Sequence, residues 1–211
     1  MKLFIDRLIE KVEAKKSHIC IGLDPHLHLF PSYLVEEYNN NNNNYNQALG
    51  QAITTFNKKI IDNVADVAIA VKPQIAFYEL IGISGLKALF ESIKYAQKNG
   101  LIVLLDAKRN DIGSTARAYA EAYFGFADKE NCSVKSNLNK TITADAMTIN
   151  PYLGWDGIEP FLAKKDKGIF ALVRTSNPSA KDLQDEVLEN GQTIYQKVGN
   201  LVSDWGQKVI G

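Results

Sequence analysis

The sequence predicts an α/β fold, a (β/α)8 barrel rather than an open doubly wound sheet. Five short apolar runs rich in β-branched residues recur along the chain, each followed by an amphipathic helical pattern. None alternates polar with apolar residues through its middle, so each is read as a parallel strand with both faces covered. Every run then ends in polar or charged side chains, and function at the C-terminal ends of several strands is the habit of barrels. The first run closes with Gly22-Leu23-Asp24-Pro25, which offers none of the glycine-rich phosphate cradle of an open dinucleotide-binding sheet.

In chain order, an amphipathic helix is read over residues 4–16. Strands follow at 18–24 (HICIGLD), 66–72 (DVAIAVK), 101–108 (LIVLLDAK), 144–150 (ADAMTIN) and 168–174 (GIFALVR). Helical patterns lie between and after them at 47–64, 84–99, 111–127, 156–164 and 191–208. Residues 39–44 are six consecutive asparagines, which favour turns and cannot build a core, so they read as a solvated Asn-rich loop. Residues 128–143 are polar and without period, a surface excursion. The strand–helix rhythm resumes after both interruptions, so residues 1–211 are read as a single barrel domain. A barrel of eight strands takes about 250 residues. The expectation is therefore about five of eight strands in this chain, with the domain incomplete at its C-terminus.

Composition narrows the function. The 211 residues carry 24 Lys+Arg against 24 Asp+Glu, with 45% hydrophobic and 23% charged residues. A zero net charge weighs against nucleic-acid binding, which relies on phosphate neutralisation. No apolar stretch approaches the roughly 18 residues of a membrane span. The N-terminus lacks the apolar core of a signal peptide. Cys20 is read as a small core residue and Cys132 as a loop thiol, without metal-ligand spacing. A cytoplasmic enzyme is the expectation.

The segment Asp106-Ala107-Lys108-Arg109-Asn110-Asp111 is the most informative. Asp106 and Lys108 are two apart on a strand end and share a face. Unpaired, such buried charges would each lose several kcal/mol of hydration. They read either as an ion-paired strand terminus with Asp111 capping the next helix, or as a site. Lys72 ends the apolar run AIAVK before Pro73, where it is either a snorkelling strand-edge lysine or a second cation beside the same cluster. His26 and His28 form a His-x-His pair with no third ligand nearby and are read as loop residues.

Five segments together resemble the orotidine 5′-phosphate decarboxylases, in particular the longer bacterial subgroup. They are 21–25 (IGLDP), 70–79 (AVKPQIAFYE), 104–116 (LLDAKRNDIGSTA), 150–161 (NPYLGWDGIEPF) and 173–180 (VRTSNPSA). The resemblance implies a TIM barrel and the cofactor-free, metal-free conversion of orotidine 5′-monophosphate to uridine 5′-monophosphate and CO2. It implies an alternating network of Lys72, Asp106, Lys108 and Asp111, with Lys108 the proton donor to C6 of the pyrimidine. It further implies a homodimer in which Asp111 and Thr115 reach the neighbouring subunit's site. Asp24 would bond the ribose hydroxyls and Ser176 the pyrimidine edge. Asn150, Pro151 and the Arg174-Thr175 step would shape the pocket. Lys72 distinguishes this chemistry from Mg2+-dependent sugar-phosphate aldolases or decarboxylases of the same superfamily, where an acidic, metal-binding residue is expected instead. A non-catalytic, shortened barrel module is the remaining alternative. The glycine-rich phosphate loop of the family, with its glutamine and arginine, has no counterpart after residue 192. The 211 residues alone are accordingly expected to be nearly inactive.

Overall fold

The computed structural model describes residues 2–39, 44–125 and 143–210. Cys132, residues 40–43 and all but the last residue of the polar stretch 128–143 lie outside the described residues. Five strands form one sheet in the order β1-β2-β3-β4-β5, every neighbouring pair parallel. They are β1 Cys20–Gly22, β2 Ala70–Lys72, β3 Ile102–Arg109, β4 Ala146–Ile149 and β5 Gly168–Ala171. Sequential order without reversal is the winding of a barrel wall; a doubly wound sheet reverses its strand order at a switch point.

The helices are α1 Phe4–Lys15, α2 Ser32–Asn39, α3 Tyr45–Val64, α4 Ile75–Glu79, α5 Ile83–Lys98, α6 Gly113–Phe124, α7 Trp155–Leu162 and α8 Ile194–Ile210. Helices α2 and α4 were not anticipated. Both are short pieces inside segments whose turn residues masked their periodicity. Asn39 ends α2, and the side chain of Asn44 accepts from the amides of Asn46 and Gln47 to cap α3, so the ends of the asparagine run belong to helices. Helix α6 starts at Gly113 after Ile112, two residues later than the sequence suggested, and Asp111 is not its N-cap. The Asp111 carboxylate instead accepts from the amide of Ile112 at 2.8 Å.

Period two divides the sheet into two unlike faces. Val71, Val103, Leu105, Met147 and Ile149 point outward and are fully buried against Ile53, Ile61, Leu89, Ile93 and Phe161 of the helical layer. Each such side chain contributes about 1.5–3 kcal/mol on leaving water. The opposite face carries Lys72, Asp106, Lys108 and Thr148. On the edge strands this inner face is accessible: Cys20 is exposed and Phe170 is 44% exposed. The reading of Cys20 as a core residue is therefore corrected, because β1 is an edge among the described strands and Cys20 lies off the helix-covered face.

Helix α1 lies across the N-terminal ends of the strands. Phe4, Leu8 and Val12 pack on Ile69, Ala70 and Ile102. Arg7 donates to the Asp145 carboxylate at 2.8 Å and to the carbonyl of Asp166 at 2.7 Å, while Lys15 donates to the carbonyls of Ala65 and Ala68. A Cβ built on Gly168 would stand 2.3–2.8 Å from the Phe4 ring, so the closeness of α1 to β5 depends on that glycine. Among the described residues no helix is long and apolar enough to cross a membrane.

Candidate active site

The C-terminal ends of β2, β3 and β4 bring three charges and one hydroxyl together. Asp106 is 7% exposed and its carboxylate is shared. Lys108 Nζ donates to Oδ1 at 2.6 Å, Lys72 Nζ to Oδ2 at 3.1 Å, and Thr148 Oγ1 to Oδ1 at 2.7 Å. The two lysine side chains are 46% and 34% exposed, so both ammonium groups reach the open inner face while the carboxylate stays beneath them. Burial by itself pushes the Asp106 carboxyl up. The bonds from Lys108, Thr148 and Lys72 outweigh it and hold the group below the usual carboxylate range.

The backbone explains how neighbouring charges on one strand end are held. Strand β3 pairs with β4 at Leu105↔Met147 and again at Arg109↔Ile149, so three residues of β3 oppose the single residue Thr148. In this bulge Lys108 takes a left-handed φ of 47°, which costs a side-chain-bearing residue on the order of 1–2 kcal/mol. The amides of Ala107 and Lys108 both donate to Thr148 Oγ1, each at 3.0 Å. Sequence reasoning overlooked Thr148. The available signal was its position two residues before Asn150 on β4, on the same face as Asp106.

The remaining site residues make their hydrogen bonds outside this cluster. Asp24 follows β1, and its Oδ1 accepts from the amide of Gln74 at 3.0 Å, just beyond Lys72. The segment carrying Asp24 is fixed from below, where Tyr78, fully buried, donates to the carbonyl of Leu23 at 2.8 Å and accepts from Asn57 at 2.9 Å. Burial drives the Tyr78 hydroxyl well above its ordinary range, so it stays a donor. Asn150 caps the 3-10 turn Pro151–Leu153 by accepting from the amide of Tyr152, and Pro151 is buried. Thr175 bonds Gln184 and Asn177, Arg174 pairs in bidentate fashion with Asp185 at 2.8 Å, and Ser176 is exposed beside them.

Asp111 and Thr115 do not join the cluster. Thr115 is exposed on the first turns of α6, and no ion pair reaches Asp111 among the described residues. The loop bearing them is anchored by Arg109, which points to the other side of β3. It pairs with Glu79 at 2.7 Å and lies over the rings of Tyr119 and Tyr123. His26 packs against Phe77 with ring centroids 4.2 Å apart and planes tilted by 59°, and the described residues contain no group of three or more His, Cys, Asp or Glu suited to a metal ion.

The sequence profile described as "Orotidine 5'-phosphate decarboxylase / HUMPS family" matches residues 17–211. An orotidine 5′-phosphate decarboxylase of Clostridium novyi (strain NT) is 40% identical over 214 residues, covering 100% of this chain and 67% of its own. One from Rhodopirellula baltica is 42% identical over 207 residues, covering 97% and 65%. The solved structure of Leishmania donovani OMP decarboxylase superposes with a TM-score of 0.69 at 34% identity, covering 93% of this chain and 63% of that one. The chain thus spans about two thirds of the length of the curated relatives it matches. A parallel barrel wall, a carboxylate shared by two lysines at its rim, and identity sustained across essentially the whole chain place this protein in the orotidine 5′-phosphate decarboxylase / HUMPS family.

Proposed function

We propose that this protein decarboxylates orotidine 5′-monophosphate to uridine 5′-monophosphate, with the Lys72–Asp106–Lys108 cluster as its chemical centre. The observation that carries the reading is one buried carboxylate bridging two half-exposed ammonium groups at the ends of adjacent parallel strands. Breaking the bond from C6 to the carboxylate releases CO2 and leaves the electron pair on C6, where no adjacent carbonyl can delocalise it. A fixed ammonium at Lys108 supplies positive charge where that negative charge develops, in a site already organised before reaction. Lys108 then gives its proton to C6, and solvent water reprotonates the amine. Asp106 keeps Lys108 charged and aimed, and Lys72 balances the carboxylate from the other side.

The remaining assignments extend this centre. Asp24 binds the ribose hydroxyls, Ser176 the pyrimidine edge, and Asn150, Pro151 and Thr175 shape the walls. Asp111 and Thr115 serve the neighbouring site of a homodimer. That neither bonds to the cluster supports this role, as does the 55% exposure of Ile112 next to Asp111. The reaction needs no metal or organic cofactor in this scheme. The test is loss of orotate absorbance by the purified gene product in excess EDTA. Undiminished turnover is expected; activity that appears only with added Mg2+ would replace this reading with sugar-phosphate chemistry.

A further inference from the structure

We infer that Thr148 is the positioning residue of the lysine–aspartate–lysine cluster, its hydroxyl locking both the carboxylate of Asp106 and the backbone of Lys108 in their reactive arrangement. The inference rests on the reading of Lys108 as proton donor. A threonine hydroxyl offers one donor and two acceptor lone pairs. Here all three are used, with the proton going to Asp106 Oδ1 and the lone pairs to the amides of Ala107 and Lys108.

The bulge makes that satisfaction necessary. Three β3 residues face one β4 residue, and the amides of Ala107 and Lys108 turn to the Thr148 side chain. The hydroxyl thereby takes the place of a backbone carbonyl at the one point where Lys108 is left-handed. It also sits on Oδ1, the same oxygen that receives Lys108, while Lys72 takes Oδ2. Its donated bond fixes the rotation of the carboxylate, and hence which lysine meets which oxygen. The β-branch of threonine restricts χ1 and holds the hydroxyl in place, which serine would do less firmly. The charged groups acting on Asp106 are Lys72 from β2 and Lys108 from its own strand; from β4 comes only this neutral hydroxyl.

The experiment uses Thr148→Val, which keeps the shape but removes the hydroxyl, and Thr148→Ser, which keeps the hydroxyl. It has two readouts. Turnover of orotidine 5′-monophosphate is followed against pH. Separately, the Asp106 carboxyl is titrated by NMR after selective 13C labelling of aspartate. Thr148→Val is expected to lower kcat about tenfold or more, a decade corresponding to about 1.4 kcal/mol. It should raise the titration midpoint of Asp106 and leave KM nearly unchanged, while Thr148→Ser restores most of kcat. A purely structural role would lower thermal stability without moving the midpoint or kcat, and that result overturns the inference. Should Thr148→Val not fold, the wild type decides: the amide signals of Ala107 and Lys108 should titrate together with Asp106, and insensitivity of both would overturn it. An inactive full-length gene product in which the midpoint still moves in Thr148→Val would sink the decarboxylase reading while leaving the positioning role in place.

Discussion

Asp106→Asn is the perturbation whose consequence the geometry fixes most fully. The carboxylate accepts from Lys108 at 2.6 Å, Lys72 at 3.1 Å and Thr148 at 2.7 Å. An amide has one acceptor oxygen and would turn an N–H toward one of the lysines. Charge-assisted bonds are roughly twice as strong as neutral ones, at about 1.5–3 kcal/mol each. Both lysines are partly exposed, and an exposed ion pair contributes no more than about 1 kcal/mol, so the two contacts lose about 1.5 kcal/mol together. Two ammonium groups left without a counter-charge repel by about 3 kcal/mol at an effective dielectric near 20, and swinging into solvent relieves about half. A net loss of about 3 kcal/mol follows, or about two decades in kcat/KM. The assay is initial-rate decarboxylation, with urea unfolding run in parallel to confirm a folded variant. Activity within threefold of the wild type would refute the shared-carboxylate argument. The same variant tests the acid limb of stability. Asp106 lies below its unfolded value of about 3.9 and binds fewer protons folded than unfolded. Its contribution is complete above that value and disappears as pH falls through the folded one. The stability gap between wild type and Asp106→Asn should therefore be constant from pH 5 to 8 and shrink below about pH 4.

Three further outcomes concern the scaffold. Gly168→Ala should destabilise by about 1–3 kcal/mol in urea, because the new methyl meets the Phe4 ring; adding Phe4→Leu should recover part of the loss, and strict additivity would argue against the contact. Arg7→Met should cost about 2 kcal/mol by leaving the Asp145 carboxylate, 9% exposed, with only Gln97 and the Val103 amide. Tyr78→Phe should cost about 1–3 kcal/mol in unfolding experiments by orphaning the Leu23 carbonyl, and it should raise KM more than it lowers kcat because Asp24 comes next in the chain.

What was legible in the sequence follows from where the signals are local. The five strands and the helices between them announced themselves as apolar runs and amphipathic periods, and Asp106 and Lys108 shared a face simply by being two residues apart. Lys72 declared itself by ending an apolar run. Thr148 left only a weak signal, its place two residues before Asn150, since its role comes from a bulge between β3 and β4 that no periodicity records. Cys20 was misread because the apolar run around it implied two covered faces, whereas β1 is an edge among the described strands. Asp111 looked like a helix cap by residue type, but the turn after Arg109 delays α6 to Gly113 and spends the carboxylate on the amide of Ile112.

In the proposed reaction Lys108, held by Asp106, delivers the proton that replaces CO2 at C6. The most direct test of this step is release of labelled CO2 from carboxyl-labelled orotidine 5′-monophosphate by wild type and Lys108→Ala, both in EDTA and both confirmed as folded. Measured on the full-length gene product, release should be steady in the wild type and fall by at least about three decades in the variant, since proton transfer from a positioned acid typically contributes about two to four decades and the local positive charge is removed as well. Release by Lys108→Ala at a rate near that of the wild type would contradict it.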